Sequence, residues 1–183
     1  MQPNEWNAAD AIFRRYLERP RRRRLARVVD AFYQHVWATA YRVTGNAADA
    51  ADITQDVFLQ LLLQPPRPES VRCPRAFLAW LVVGRASGLR RSAKRRKARE
   101  QSALRQAADE GIVSADIEAL RDCVEDLPED LRAAVALRYF AGLKNSDVAL
   151  ATGVGERQVE KRLEEARAIL RARLGPTAAP VLL

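Results

Sequence analysis

Apolar residues along this chain recur at steps of three and four, the spacing that gathers them on one face of an α-helix, and show no convincing two-residue alternation of a strand. Leu25, Val28, Val29, Phe32, Val36, Ala40 and Val43 form the first such stripe. The helix it predicts stops at Gly45, which can take the left-handed cap conformation. A second helix is predicted over residues 47–63, with Ile53, Val57 and Leu61 inward. Pro65 and Pro66 end it, because proline brings no amide hydrogen to the next turn. Pro74 opens a third helix through Phe77, Trp80 and Leu81 into the run "GRASGLRRSAKRRKARE".

After that run the pattern weakens. "QSALRQAADEGIVSADIEAL" is mild, acidic and interrupted by Gly111, the composition of a linker or a weak helix. Pro128 with Glu129 and Asp130 marks a new helix start, since a fixed φ suits the first turn and acids oppose the positive end of the helix dipole. Gly142 lies just past its end. A short helix over Ser146 to Ala151, the turn "TGV" and a last helix from Glu156 to about Arg173 follow. The expected fold is all-α, with two small helical domains: an N-terminal extension 1–24, a first domain 25–99, a linker 100–118, a second domain 119–174 and a disordered tail 175–183.

The second domain carries a helix-turn-helix pattern. Ala149 is small where the two helices touch, Gly153 tolerates the left-handed turn, and Val159 supplies the branched inward residue, with Val148, Val154 and Leu163 completing the core. If Val159, Leu163, Ala166 and Leu170 are buried, then Arg157, Gln158, Lys161 and Arg162 lie largely on the open side, with Glu156 and Glu160 close by. Arginine and glutamine can bond guanine and adenine edges and lysine can neutralise phosphate, whereas glutamate is repelled by phosphate. A helical hairpin packed against another protein fits the same pattern.

The net charge of +8 is unevenly spread: residues 1–99 hold 20 Lys+Arg against 8 Asp+Glu, and residues 100–183 hold 11 against 15. Eight bases and no acid lie between Arg85 and Arg99. A helix bearing Arg90, Arg91, Lys94, Arg95 and Lys97 can neutralise several phosphates, although a solvated helix end has the same composition. Phe77 and Trp80 upstream suit either a core or a platform for unpaired bases. Asp49, Asp52 and Asp56, at i, i+3 and i+7, make an acidic stripe in the most basic half of the chain. Acids early in a helix answer its dipole, but a stripe of them is no DNA contact and points to docking on a basic protein surface.

Catalytic chemistry has little to build on. Cys73 and Cys123 stand far apart without a CxxC, and His35 is the single histidine, so no metal site, no cofactor and no enzyme activity are expected. No apolar run reaches bilayer length and the first residues lack a signal-peptide pattern, so no membrane insertion and a cytoplasmic location are expected.

"YRVTGNAADAADITQDVFLQLL" resembles region two of the extracytoplasmic-function (ECF) sigma factors of bacterial RNA polymerase, and "CPRAFLAWLVVGRASGLRRSAKRR" the promoter-melting and −10 helix after it. "LPEDLRAAVALRYFAGLKNSDVALATGVGERQVEKRLEEARAIL" is similar to their region four, which binds the −35 element. The resemblance spans about residues 25–174. It implies a polymerase-binding set of Asp49, Asp52, Gln55, Asp56 and Phe58, and a −10 set of Trp80, Arg85, Ser87, Arg90, Arg91, Lys94 and Arg95. It further implies a base-capturing loop from Pro65 to Pro74 and a −35 set of Arg157, Gln158, Lys161 and Arg162. The implied partners are core RNA polymerase and promoter DNA, with room for an anti-sigma protein. Ser87 and Arg91 stand where the family usually has an Asn and an Asp or Asn, and Glu160 and Glu164 depart from its usual region-four residues. The family's −10 base contact from that Asn is therefore not expected here, and either an unusual −35 preference or a weak −35 contact is. The residues by themselves also allow a stand-alone helix-turn-helix regulator or a helical adaptor.

Overall fold

The computed structural model describes the backbone of residues 3–101 and 115–174, and side chains over 8–89 and 119–174. All regular structure there is helical: α1 (Pro3–Glu18), α2 (Arg22–Thr44), α3 (Ala47–Leu63), α4 (Pro74–Gln101), α5 (Ala115–Glu125), α6 (Glu129–Val135), α7 (Asn145–Thr152) and α8 (Glu156–Leu174). A short 3₁₀ turn, Pro68–Ser70, sits in the α3–α4 loop. Most of the expected linker and the whole of the tail lie outside the described residues.

Local chemistry sets the ends of the first helices. Gly45 adopts φ 73° and donates its amide to Tyr41 O at 2.7 Å, closing α2. The Asn46 side chain then accepts from the amides of Ala48 and Asp49 at 2.8 and 3.1 Å, capping α3.

The N-terminal extension turns out to be part of the first bundle. Phe13 on α1 is fully buried, its ring edge-on to Phe32 on α2 at 5.8 Å and to Phe77 on α4 at 6.3 Å. The buried Tyr16 hydroxyl donates to the carbonyl of Leu61, in the last turn of α3, where helix geometry leaves carbonyls without an intrahelical partner. Helices α1–α4 thus share one core.

The second bundle is built on α8. Its inward line of Val159, Leu163, Ala166 and Leu170 is buried, as the phasing requires, against α5, α6 and α7. Arg132, nearly buried, donates to Glu125 O and Leu127 O at 2.8 and 3.3 Å and so closes the α5–α6 turn. The helix expected to start at Pro128 and stop before Gly142 runs without a break from Glu129 to Phe140, its last part widening into a π-helical turn over Ala136–Phe140. That turn ends at Gly142, φ 68°.

The two bundles pack on each other. α4 touches α6, the π turn and α7, and α2 touches the π turn. Arg42 donates to Phe140 O at 2.9 Å and Arg121 to Arg42 O at 3.2 Å. The Arg121 guanidinium occupies the space that a side chain at Gly45 would need. His35, between α2 and α4, places Nε2 3.4 Å from Arg75 O. Burial pushes its pKa down to about 4 and the neighbouring Arg75 and Arg42 add to this, while the contact with the Arg75 carbonyl opposes it.

Two outcomes are expected of this packing. Phe13→Ala should lower the unfolding free energy by about 3–5 kcal/mol, the usual cost of emptying an aromatic core site, as read by urea denaturation; a loss below about 1 kcal/mol would show that α1 merely lies on the surface. For His35 the folded pKa lies below the unfolded one, so the unfolded chain takes up the proton first as pH falls. Its contribution is complete above the unfolded pKa and fades as pH drops toward about 4, by up to about 3 kcal/mol. The chain's one imidazole should titrate near pH 4 by proton NMR, and a midpoint at its ordinary 6.5 would mean a solvated ring.

Candidate functional site

Asp49, Asp52, Gln55 and Asp56 are all exposed on α3. The three aspartates continue at the same three- and four-residue steps into the exposed Leu59 and Leu63, so one outward stripe runs from acidic to apolar along the helix. Phe58 does not join them. Two residues beyond Asp56, it turns to the opposite side of the helix and is only 8% exposed, packed in the core with Ile53, Val57 and Leu61. In this arrangement its side chain belongs to the core that fixes α3 in the bundle.

Arg85 on α4 reaches back to this stripe. Its Nη1 donates to Asp56 Oδ2 at 2.9 Å and its Nη2 to Gln60 Oε1 at 3.0 Å. One member of the expected polymerase set and one of the expected −10 set therefore hold each other. Trp80 is 46% exposed and stacks on Phe77 at 6.5 Å with 26° between the planes. The half-buried Phe77 is anchored on Phe13, so the pair divides into a core ring and a surface ring. Ser87 is buried at the seam between the bundles, beside Val43, Val83, Val124 and Phe140, and offers nothing to DNA in this arrangement. Arg90, Arg91, Lys94 and Arg95 continue along α4, with side chains outside the described residues.

The helix-turn-helix forms as the small residues require. Gly153 takes φ 73° and donates to Ala149 O at 2.9 Å, and Val159 is fully buried. Arg157, Gln158 and Lys161 are exposed, along with Glu156, Glu160 and Glu164. Arg162 is the exception. Three residues beyond Val159, it lies only about 60° from the buried line, on the flank facing α6. There its Nε comes 3.3 Å from Asp130 Oδ2, and the side chain is 19% exposed. It ties α8 to α6.

Ser70 and Arg72, from the α3–α4 loop, face Ala149, Leu150, Gly153 and Glu156 across a groove of about 620 Å³. The loop expected to capture a base and the turn of the helix-turn-helix thus form opposite walls of one space. No local signal in the sequence announces this, because the two walls are some 80 residues apart in the chain. Among the described residues no group of three or more His, Cys, Asp or Glu could hold a metal ion. No helix there is long and apolar enough to cross a membrane.

These two bundles coincide with two known families. Residues 28–96 match sigma-70 region 2 and residues 117–170 match sigma-70 region 4. The chain is 29% identical over 145 residues to the ECF RNA polymerase sigma factor SigL of Mycobacterium tuberculosis, covering 76% of this chain and 82% of SigL. Its fold is that of CnrH, solved in complex with the cytosolic domain of CnrY: TM-score 0.59 at 21% identity, over 91% of this chain and 97% of CnrH. It is also that of the sigma factor RpoE of Bartonella quintana, solved with the anti-sigma factor NepR: TM-score 0.52 at 17% identity, over 81% of this chain and 94% of RpoE. With region 2 on α2–α4 and region 4 on α5–α8, in that order, the chain belongs to the ECF sigma factors of RNA polymerase.

Proposed function

We propose that this sigma factor docks on core RNA polymerase through the outward stripe of α3, takes the −10 element on α4 and reads the −35 element with the start of α8. The observation that carries the docking assignment is the stripe itself. Asp49, Asp52 and Asp56 stay exposed on a helix whose other side is core, in a chain of net charge +8. DNA repels such a surface, so its partner is a basic protein surface.

On α4 the exposed Trp80 supports stacking on an unpaired base, worth about 1–3 kcal/mol, and the bases from Arg85 onward support neutralising the backbone. On α8 the exposed Arg157, Gln158 and Lys161 support reading and phosphate roles. Arg162, tied to Asp130, is assigned to holding the reader in place. The activity is initiation of transcription by the polymerase in the cytoplasm, with no catalysis by the chain itself. The shared fold with RpoE, solved with NepR, leads us to propose an anti-sigma protein as a further partner.

Reversing the stripe with Asp52→Arg and Asp56→Arg should weaken association with core polymerase about a hundredfold or more, judged by co-elution on a sizing column, while circular dichroism stays native. Retained stoichiometric co-elution would sink the docking assignment. Arg157→Ala with Gln158→Ala should leave co-elution intact and relax discrimination within the −35 element by about 1–3 kcal/mol per lost bidentate contact. A promoter library transcribed with unchanged −35 preference would refute that role.

A further inference from the structure

The turn that joins α1 to α2 carries positive charge that the described residues leave uncompensated. Eight arginines, no lysine and a single acid, Glu18, lie between Arg14 and Arg27. Arg15, Arg19, Arg21, Arg22, Arg23 and Arg27 are exposed, and among the described residues none of these six is in an ion pair. The fold holds them together. Pro20 stops α1, and Arg24, only partly exposed, donates from Nη1 to the carbonyl of Arg15 at 2.7 Å, tying the last turn of α1 to the start of α2. Tyr16, Leu17 and Leu25 are buried behind the turn. The first turn of α2 has no acid, and arginines at a helix N-terminus oppose the helix dipole. Like charges gathered on a fixed turn, at the helix end that disfavours them, weaken the fold, so the counter-charge that suits them lies outside it.

The chemistry of this surface favours phosphate over protein. A protein interface buries an apolar core within a polar rim. Between residues 14 and 27 the only exposed apolar residues are Pro20 and Ala26, so a protein partner finds no anchor. A polyphosphate needs none, because neutralising it releases condensed counterions and guanidinium forks bond phosphate oxygens in pairs. An unpaired strand would draw on stacking as well. The exposed aromatics of α2, Tyr33 and Tyr41, stand about 15 and 27 Å along the axis from Arg23, beyond the turn. We propose that the α1–α2 turn is a further DNA site of this chain, one that grips the phosphate backbone of duplex DNA without regard to sequence. Its residues precede residue 28, where the family match begins, and belong to neither promoter-reading set. The affinity it adds is the kind that the exposed glutamates deny to α8.

The test uses the full-length chain and a labelled duplex of about 30 base pairs without promoter elements, with binding read by fluorescence anisotropy across a series of salt concentrations. Two triple variants are compared: Arg22→Gln, Arg23→Gln and Arg27→Gln together, and the same three positions changed to Lys. Arg24 stays, because it closes the turn. The Gln variant should make the log–log salt dependence shallower by about 2.7, at about 0.9 for each lost phosphate contact, and weaken binding about tenfold or more. The Lys variant should keep a slope near wild type, because counterion release follows charge. An unchanged slope in the Gln variant would overturn the site and leave an acidic protein face as what these arginines fit. A Lys variant as weak as the Gln variant would also overturn it, since the arginines would then act on the fold. So would tighter binding of a single-stranded oligothymidylate of equal length with the same dependence on the three arginines, which would move the site to an unpaired strand. None of these readings involves polymerase or promoter sequence, so their failure leaves the roles of α3, α4 and α8 standing, and failure of those roles leaves this slope unchanged.

Discussion

The rest of the molecule depends on one helix being covered from two sides. Ala76, Leu78, Ala79, Leu81, Val82, Val83 and Ala86 of α4 are each less than a tenth exposed, and together they take up most of its circumference. A single amphipathic neighbour cannot cover such a helix. The α1–α3 bundle supplies one wall, and the second bundle, through the π turn, α6 and α7, supplies another. Beyond Ser87 the sequence of the same helix turns to bases, which no core accepts unpaired. The change along one continuous helix from apolar to cationic joins the packed part of the protein to the part addressed to nucleic acid.

Some of the charge within the two bundles is engaged in ion pairs. Arg85 holds Asp56, Arg132 meets Glu125, Arg162 meets Asp130 and Arg173 meets Asp126. The Arg85–Asp56 pair is substantially exposed, at 38% and 54%, and exposed pairs contribute no more than about 1 kcal/mol. That is enough to orient Arg85 on α3 but too little to hold it against a phosphate, or to hold Asp56 against a cationic partner. On the roles proposed for α3 and α4, an exchange at either group would release the other and so couple the two bindings.

Local chemistry explains what can be read from the sequence. The span of α3 is legible to the residue, because Asn46 caps it and Pro65 and Pro66 forbid its continuation. The helix-turn-helix is legible because Ala149, Gly153 and Val159 each satisfy a steric demand at a fixed spacing. What the pattern misses lies in partners. Helical phasing places Arg162 on the flank of α8 beside the buried line, and only the proximity of Asp130, on another helix, shows what it meets there. Ser87 has the pattern of a surface position because nothing in one dimension says that Val124 and Phe140 will cover it. The family motif assigns Phe58 to docking, whereas its own phase, shared with Leu61 and Ile53, already places it inside. For residues 1–24 the sequence allows both a helix packed on the first domain, which the spacing of Ala9, Phe13, Tyr16 and Leu17 suits, and a basic arm, which the arginine-rich flank suits; the packing decides for the helix.

The acids on the reading helix have a physical reason in this setting. Over residues 156–165 the exposed charges are two bases, Arg157 and Lys161, against four acids, Glu156, Glu160, Glu164 and Glu165, since Arg162 is engaged by Asp130. Such a surface gains little from counterion release, the sequence-independent term that draws most basic proteins onto any duplex. Alone, α8 is a poor competitor for DNA. The strongly basic end of α4 is not, and a free chain able to use it at any site would be lost to non-specific binding. On the proposed −35 role of α8, with affinity placed largely outside the reader, discrimination falls to Arg157 and Gln158, whose bonds to base edges would be lost at a wrong sequence while the surrounding glutamates keep that wrong complex weak.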